Sequence, residues 1–548
     1  MDKREILKFC IERGFLLDKE FLNLFDEQTD SESIKILIQQ IKEITHEKII
    51  NKNLFSSIKE DFFEKLSYSL KTKDSEKIIN SLKIKLNLSF DSSTVSNNPN
   101  ISQQEKAEQK KENKKESSNQ ILKYEDIKIS FSYPQSNKKL EVFNFVNYFR
   151  NRVLELKEIL QENPQLKNLI SINKIPFNKQ GFSIIGIIYS KSVTKNKNII
   201  FEVEDLTGKI KVLISQSNPD LYKLAEEITL DSVIGFSGFG NKEILFVNNL
   251  FFPDSFLAER KKADKEEYAL FIGDIHYGSK LFLEKSFLKF IDYLNNKLPN
   301  TPEVPKIKYL FIVGDLVAGV GNYPSQEKDL KIKDIESQFN GLATLLSKIR
   351  KDIRIIISPG NHDGVRLMEP QPPLNEKYSW SLYNLENTIL TGNPSFINIG
   401  QSSKFSGFNI LLYHGFSFPY YANVIPSLIQ QDSLNSPTKI MSYLLKNRHL
   451  APTHSSVQYF PSQEDFLIIK KIPDIFLSGH THKCEISYYN NILLISVSSW
   501  ESKTSYQEKM GNNPDFCKVP LFNLKTRSIK LLDFEEESEH QELKSNIT

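Results

Sequence analysis

Five short motifs in the C-terminal half of the chain contain residues that could bind metal ions and act on phosphate esters. The motifs are GDIH, GD, GNHD, HG and GHTH, and each closes an apolar run. Their candidate ligands are carboxylate, amide and imidazole groups: Asp274, His276, Asp315, Asn361, His414, His480 and His482. Such groups suit Mn²⁺, Fe²⁺ or Zn²⁺, and the absence of thiolates argues against a closed structural zinc site.

These ligands predict two metal ions that share one carboxylate. We assign to one ion Asp274, His276, Asp315 and His482, and to the other Asp315, Asn361, His414 and His480. Two ions about 3.5 to 4 Å apart can activate water and clamp both oxygens of a displacement at phosphorus. His362 lies beside a ligand without being needed as one, so we expect it to donate a proton to the leaving oxygen.

The apolar runs before the motifs indicate the elements that position them. YALFIGD, KYLFIVGD, RIIISPGNH, NILLYHG and DIFLSGH are rich in Ile, Leu, Val, Phe and Tyr and end at a glycine or a polar turn, as buried strands do. The ligands are therefore expected at the carboxyl ends of parallel strands. Asp274 and His276 are two residues apart at a strand end, so we expect both side chains to point the same way.

The glycines of the motifs fit the same interpretation. Gly273, Gly314, Gly360 and Gly479 each precede a site residue, where a bare backbone lets a turn bend tightly and approach the ions. Of nine histidines in the chain, five fall in the motifs. His449 and His454 lie between two motifs, and the sequence leaves open whether they line a substrate groove or only pack.

Composition restricts the class of protein. The 548 residues are too many for one ordinary domain, and 71 basic against 68 acidic residues argue neither for nor against a polyanionic partner. Three cysteines without a CxxC pair exclude a disulfide scaffold. No apolar stretch approaches the ~18 residues that would cross a bilayer. We therefore expect a soluble, cytoplasmic protein with no membrane association.

Changes in periodicity and composition along the chain predict a multidomain α+β protein. We expect a small helical domain, a disordered charged linker, a helical connector, an OB-fold β-barrel and an α/β-sandwich phosphoesterase domain. Their predicted limits are 1–90, 91–121, 122–175, 176–256 and 265–548. The barrel rests on five β-type runs, and the sequence leaves open whether it binds single-stranded DNA or serves only as a docking surface.

Several longer stretches around the motifs resemble a known family. GDLVAGVGNYPSQ, SPGNHDGVRLMEPQPPL, KNRHLAPTH, IPDIFLSGHTH and SVSSWESKTSYQEKMG are similar to the small subunits of archaeal family-D DNA polymerases. These belong to the calcineurin-like metallophosphoesterase superfamily. The resemblance covers about 125 to 530 and is close.

The resemblance implies a 3′ to 5′ exonuclease that proofreads beside a large polymerising subunit, in a heterodimer or heterotetramer. It implies two divalent ions, Mn²⁺ first and Mg²⁺, Fe²⁺ or Zn²⁺ as alternatives, and single-stranded or mismatched DNA 3′ ends as substrate. The family's metal ligands fall on the seven residues assigned above, and its catalytic histidine falls on His362. The stretch with Arg366, Pro370 and Gln371 is not needed for small phosphoesters, so Arg366 is expected in the DNA groove. Whether His449 and His454 line that groove with it or only pack stays open.

One position departs from the superfamily pattern. A second aspartate often lies three residues after the bridging one, but here that residue is Ala318, followed by Gly319. We expect altered support for the site without loss of metals. Two alternatives stay open: a structural accessory subunit with weak or no nuclease activity, and a free-standing metallophosphatase or nucleotidase.

Overall fold

The computed structural model describes residues 126–133, 140–509 and 511–536, Glu539, and short pieces near the N-terminus. The chain divides into two compact units, Met1–Gln109 and Lys110–Thr548. In the first unit, the described residues include helical residues 8–10 and a parallel pair of two-residue strands, β1 (Leu16–Leu17) and β2 (Ile49–Ile50). The remainder of the helical domain predicted over 1–90, and the linker predicted over 91–121, lie outside the described residues.

The second unit contains strands that form a closed barrel and two sheets. The strands are β3 (Ile127–Ser132), β4 (Gln180–Val193), β5 (Ile199–Asp205), β6 (Gly208–Ile214), β7 (Val233–Gly240), β8 (Ile244–Phe251), β9 (Tyr268–Ile272), β10 (Ile307–Val313), β11 (Arg354–Ser358), β12 (Thr388–Leu390), β13 (Ser395–Ile399), β14 (Phe408–Leu412), β15 (Ile475–Ser478), β16 (Glu485–Tyr489), β17 (Ile492–Ser496), β18 (Lys518–Asn523) and β19 (Ile529–Asp533).

Helices precede, connect and cover these strands. They are α1 (Val142–Gln161), α2 (Pro219–Glu226), α3 (Glu284–Leu294), α4 (Ile335–Leu346), α5 (Glu376–Tyr383), α6 (Phe418–Val424), α7 (Pro426–Gln430), α8 (Pro437–Asn447) and α9 (Ser505–Lys509). Together with the sheets they form a mixed structure of helices and strands, in agreement with the predicted multidomain α+β protein that contains an α/β-sandwich domain.

The barrel has the order β4-β5-β6-β8-β7 and closes through antiparallel pairing of β4 with β7. All five β-type runs predicted between 176 and 256 form its strands. Alternating side chains such as Phe201, Val203, Ile210 and Val212 fill the interior, as the two-residue period of a strand requires. The OB-fold prediction requires a closed five-stranded barrel, and this barrel is compatible with that prediction.

The phosphoesterase region is a sandwich of two six-stranded sheets. One sheet has the order β12-β11-β10-β9-β18-β19, and its first four strands are parallel. The other has the order β16-β17-β15-β14-β13-β3, with β14, β15 and β17 parallel. Apolar residues from both sheets, including Phe271, Phe311, Ile410 and Leu477, fill the space between them.

Helices cover the outer faces of both sheets. Phe287 and Phe290 of α3 and Leu342 of α4 pack on the first sheet, and residues of α6 and α8 pack on the second. Strands buried on both faces explain why the runs before the motifs are apolar throughout and do not alternate. Among the described residues, no helix combines the length and apolar character needed to cross a membrane.

The prediction of a helical connector over 122–175 is wrong in part. Residues 127–132 form β3, which pairs antiparallel with β13 at the edge of the second sheet. The run IKISFS shows the strand period on inspection, but it is short and far in sequence from its partner. The helix α1 begins at Val142. Its Tyr148 packs on the sandwich, and its Leu156 packs on the barrel side.

Candidate metal centre

The predicted ligands lie just beyond the ends of five strands, three in one sheet and two in the other. Asp274, Asp315, His414 and His480 each come two residues after the last residue of β9, β10, β14 and β15. Asn361 follows β11 by three residues. The sequence places the ligands at strand ends correctly, and the structure adds that two facing sheets supply them.

The structure brings the predicted ligands together in two groups. Candidate ligand atoms of Asp274, His276 and His482 lie within 4.8 Å of one another, as do those of Asp315, His414 and His480. Asn361 adjoins the second group, because its Oδ1 is 3.1 Å from Nε2 of His414. All seven predicted residues therefore meet at one edge of the sandwich.

Asp315 lies between the two groups. Its Oδ2 is 3.3 Å from Nε2 of His414 in one group and 3.8 Å from Nε2 of His276 in the other. The side chain is almost fully buried. This is the position that a carboxylate shared by two ions needs.

The loops that hold the ligands have an unusual backbone. Asp274, His276 and Asp315 have φ values of 48°, 50° and 49°, and His480 and His482 have 69° and 56°. Asp274 and His276 therefore do not alternate along a strand as the sequence predicts, although their candidate ligand atoms do lie within 4.8 Å of each other. Both residues follow the strand in the left-handed region, where non-glycine residues are uncommon and cluster at functional sites.

Two motif glycines are required by close packing against the ligands. A Cβ on Gly314 would lie 2.2 Å from Nδ1 of His414, and a Cβ on Gly360 would lie 2.3 Å from Oδ1 of Asp315. Gly314 also has a φ of 76°, which side chains disfavour. A methyl group at either position would displace a candidate ligand.

Burial keeps most of the imidazoles in the form that binds metals. It lowers the pKa of His276 well below its usual value, that of His480 to about 3 and that of His482 to about 4. These rings are neutral at pH 7, and a neutral imidazole offers a lone pair.

The buried carboxylates leave a demand for positive charge. Burial raises the pKa of Asp274 well above its usual range. Burial would do the same for Asp315, but the His414 and His362 charges hold its pKa well below that range. For His414, burial disfavours the protonated ring, but the neighbouring Asp315 carboxylate favours it. The pKa of His414 therefore rises to about 10. Among the described residues, Asp274 and Asp315 have no lysine or arginine ion-pair partner, so divalent cations fit this donor set.

His362 forms a third group with His276 and Asp315, in which candidate ligand atoms lie within 4.8 Å of one another. Its main-chain N–H donates to Oδ1 of Asp315 at 2.8 Å, and its ring stands edge-on to that of His276 at 4.9 Å between centroids. Its Nδ1 is 2.8 Å from the carbonyl oxygen of Ala318. The ring is partly exposed, so it has access to a substrate.

Three residues that sequence reasoning did not assign hold the ligands from outside. Asp363 accepts N–H groups of Gly360, Leu316 and Val317, which orders the turns around Asp315 and Asn361. Asn393 accepts the N–H of His414 at 2.9 Å, and the Gln507 amide nitrogen is 3.0 Å from Nδ1 of His482. Asp363 was visible in the GNHD motif and Gln507 lies in the family-like stretch SVSSWESKTSYQEKMG, whereas no motif pointed to Asn393.

The three residues predicted for a substrate groove have different surroundings. His449 is buried, with Nε2 2.8 Å from Asp465 and Nδ1 accepting the N–H of Ala451, so its surroundings support the packing alternative and not the groove. The Arg366 guanidinium lies 3.5 Å from the centre of the Phe460 ring and donates to the carbonyl of Pro370.

His454 is more exposed, and its main-chain N–H donates to Asp231 near the barrel. None of the three predicted groove residues belongs to the ligand groups found in the described part of the chain.

Comparison with known proteins gives two results. The family model described as calcineurin-like phosphoesterase matches residues 269–484, which contain all seven candidate ligands. The chain is also similar to curated proteins named DNA polymerase II small subunit.

Three such relatives come from different archaea. That of Pyrococcus furiosus is 38% identical over 400 residues, which are 71% of this chain and 63% of that protein. That of Methanothermobacter thermautotrophicus is 34% identical over 410 residues, 74% and 82% respectively. That of Methanocaldococcus jannaschii is 37% identical over 409 residues, 73% and 66%. The match thus spans less than two thirds of the Pyrococcus protein.

Proposed function

The chain belongs to the family of DNA polymerase II small subunits, and we propose that it removes nucleotides from DNA 3′ ends beside a large polymerising subunit. The observation that carries this proposal is the meeting of seven ligand-type residues in two groups around Asp315. An accessory subunit that acts only as a scaffold has no need for two buried carboxylates surrounded by imidazoles, because burying such charges without cations is costly.

A calcineurin-like phosphoesterase domain implies divalent metal ions, and the donor set fits them. Asp274, His276, Asp315 and His482 would hold one ion, and Asp315, Asn361, His414 and His480 the other. Bound ions of this kind polarise the phosphoryl oxygens and make a water nucleophilic at neutral pH. We propose Mn²⁺, with Mg²⁺, Fe²⁺ or Zn²⁺ as alternatives, because carboxylate and imidazole ligands accept all four.

The residues of the chain have separate tasks in the proposed reaction. Asp315 fixes the spacing of the site, since its Oδ2 lies near His414 of one group and His276 of the other. Its Oδ1 accepts the N–H of His362. His362 donates a proton to the leaving sugar oxygen as the phosphorus–oxygen bond breaks. Because burial disfavours protonation of His276, His480 and His482, these neutral rings would offer nitrogen lone pairs to the ions.

The proposed substrate is a single-stranded or mismatched DNA 3′ end, and the proposed partner is the large catalytic subunit, in a heterodimer or heterotetramer. Membership of the family supports both proposals. The match covers 63% of the Pyrococcus furiosus protein, so the substrate and the partner of the whole relative are proposed, not stated, for this chain. The barrel β4–β8 offers exposed aromatic side chains such as Phe239 and Phe246, which is compatible with either of its two predicted uses.

Two assays separate this function from its alternatives. The first incubates the chain, alone and with the large subunit, with DNA labelled at the 3′ end and with a small aryl phosphate, in Mn²⁺. Release of labelled mononucleotide supports the exonuclease, and turnover of the aryl phosphate alone supports a free-standing phosphatase. Size analysis after co-expression tests the partner: if no complex forms, the subunit proposal fails first.

A further inference from the structure

A lysine-rich segment with an exposed tyrosine borders the candidate metal centre on the side of His482. The segment connects β17 with β18 and contains the short helix α9. Tyr506 of α9 is 69% exposed, and Lys509, three residues later, lies beside it on the helix surface. Neither residue belongs to the ligand groups found in the described part of the chain, so the proposed metal centre gives them no task.

Gln507 connects α9 to the metal centre. Its Nε2 is 3.0 Å from Nδ1 of His482, and its Oε1 accepts the N–H of Thr504 at 3.0 Å. The Thr504 hydroxyl in turn accepts the N–H of Gln507 at 3.2 Å, and this reciprocal cap fixes the start of the helix. The exposed ring of Tyr506 therefore belongs to the residue directly before a side chain that contacts a candidate ligand.

Three lysines lie around this helix. Lys503 donates to Oδ1 of Asn513 at 3.3 Å, and Lys483 donates to the main-chain oxygen of Asn513 at 3.1 Å, so one residue holds both ammonium groups. Lys483 directly follows the candidate ligand His482 in the chain. The third is Lys509 of α9. We call Lys483, Lys503, Tyr506 and Lys509 the α9 cluster.

The acidic residues of the segment do not cancel the positive charge of the α9 cluster. Asp515 pairs with Lys483 at 3.2 Å and with Lys518 at 2.9 Å, so one carboxylate is shared by two lysines. Glu508 of α9 is the other acidic residue between 503 and 515. With Lys518 included, four lysines stand against two carboxylates. The surplus of positive charge suits a polyanion.

We propose that the α9 cluster binds the single-stranded end of the DNA, with one base stacked on Tyr506 and with Lys503 and Lys509 on phosphates. This inference rests on the proposed function and names residues that bring its substrate to the ions. Proteins that bind single strands combine basic residues along the backbone with aromatic rings on which bases stack. Lysine is depleted at protein–protein interfaces, so this surface favours DNA over a protein partner.

The first test measures binding and needs no cleavage. A fluorescent single-stranded oligonucleotide, with phosphorothioate linkages at its 3′ end to resist hydrolysis, is titrated with the full chain in Mn²⁺. We expect Tyr506→Ser to weaken binding about fivefold to 150-fold, the range for loss of one base stack, and Tyr506→Phe to bind like the wild type. The control is Tyr378→Ser, because Tyr378 is 37% exposed on α5 and also lies beside a lysine, Lys377. Wild-type affinity in Tyr506→Ser would overturn the proposal.

Oligonucleotides with an abasic site at one position after another test whether Tyr506 contacts a base. At the stacked position, we expect the wild type to bind the abasic strand as weakly as Tyr506→Ser binds the intact strand. Tyr506→Ser should lose nothing more at that position, because the two changes remove the same contact. Additive losses at every position would show that the ring stacks on no base, and would overturn the proposal.

The salt dependence of binding tests the lysines. For single strands, the slope of log K against log salt concentration changes by about 0.7 for each phosphate contact. We expect Lys503→Gln and Lys509→Gln each to reduce the slope by about that amount, and the control Lys377→Gln to leave it unchanged. Equal slopes in all variants would show that these lysines contact no phosphate, and would contradict the proposed binding mode.

Co-expression with the large subunit separates DNA from a protein partner. We expect Tyr506→Ser to form the complex as the wild type does. Loss of the complex together with unchanged DNA binding would assign the α9 cluster to a protein partner and overturn the proposal. If the wild type binds DNA through Tyr506 but releases no nucleotide, the proposed function fails and the binding site stands. If Tyr506→Ser binds and shortens DNA like the wild type, the binding site fails and the proposed function stands.

Discussion

The main-chain N–H of His362 donates a hydrogen bond of 2.8 Å to Oδ1 of Asp315. The candidate proton donor and the carboxylate predicted to bridge two ions are thus directly connected, although they are 47 residues apart in the chain. The other oxygen of Asp315 faces His414 at 3.3 Å. The side chain of Asp315 therefore contacts both a candidate ligand, His414, and the candidate proton donor, His362.

Replacement of His482 tests the first ligand group. In His482→Ala we expect loss of one of two ions per chain, because the nitrogen 3.7 Å from Oδ1 of Asp274 is removed. Elemental analysis of the dialysed protein measures this, and His454→Ala is the control because His454 lies outside both groups. Full metal occupancy in His482→Ala would remove His482 from the ligand set.

Replacement of His362 should separate chemistry from metal binding. We expect His362→Gln to keep both ions and to cleave DNA about 100-fold to 10,000-fold more slowly, the range for loss of a general acid. Single-turnover rates with metal content measured on the same sample check this. Because a ring nitrogen of His362 lies within 4.8 Å of candidate ligand atoms of His276 and Asp315, loss of an ion would instead identify it as a ligand.

Gly314 should not tolerate a side chain. In Gly314→Ala the added methyl would collide with His414, so we expect the second ion and nucleotide release to be lost. Gly511→Ala is a matched control, since Gly511 has a φ of 71° against 76° for Gly314 but has no atom within 4 Å of a Cβ. Both variants therefore have a similar backbone strain, and equal metal loss in both would contradict the collision.

His449 should make the stability of its surroundings depend on pH. Burial lowers its pKa to about 4, whereas the unfolded chain protonates histidine near 6.5. The unfolded state thus binds the proton first. The free energy of unfolding therefore has its full value above pH 6.5, where His449 is neutral in both states. It falls by about 3 kcal/mol as the pH falls toward 4, because the unfolded state takes up the proton first.

The measurement is the urea midpoint at pH 7 and at pH 4.5, in the wild-type chain and in His449→Gln. We expect a smaller decrease between the two pH values in the variant, because glutamine does not titrate. A similar substitution of the more exposed His454 serves as control. Parallel decreases in wild type and His449→Gln would refute the role of His449 in this pH dependence.

Local sequence patterns were sufficient to predict the ligands and the strands before them. Each run, such as the one ending at Val313, is apolar because its strand is buried on both faces, and this property is visible in a few residues. The spacing within GDIH and GHTH likewise shows which residues follow a strand end. For this reason the five barrel strands, and the positions of the candidate ligands just beyond strand ends, could be predicted without the structure. The metal-binding role of these residues and the role of His362 stay predictions.

Relationships between distant segments could not be predicted in this way. Ile127 pairs with Ile399, and Asn393 accepts the N–H of His414, but neither partner has a composition that indicates the other. The left-handed backbone at Asp274 depends on contacts with the neighbouring loops, not on its own residue type. Gln326 and Gln338 are buried and hydrogen-bonded to the main chain at Ala318 and Gly319, and they could not be predicted for the same reason, since an isolated Gln is typical of a surface.

In the proposed function, Asp315 joins two ions in a site that acts on DNA 3′ ends. The most direct test measures release of a labelled 3′-terminal nucleotide from single-stranded DNA, in Mn²⁺, by the wild-type chain and by Asp315→Asn. We predict rapid release by the wild type, and in the variant no detectable release together with loss of both ions. Equal release by the two proteins would contradict the role of Asp315. No release by a fully metal-loaded wild type with its large subunit present would contradict the proposed exonuclease.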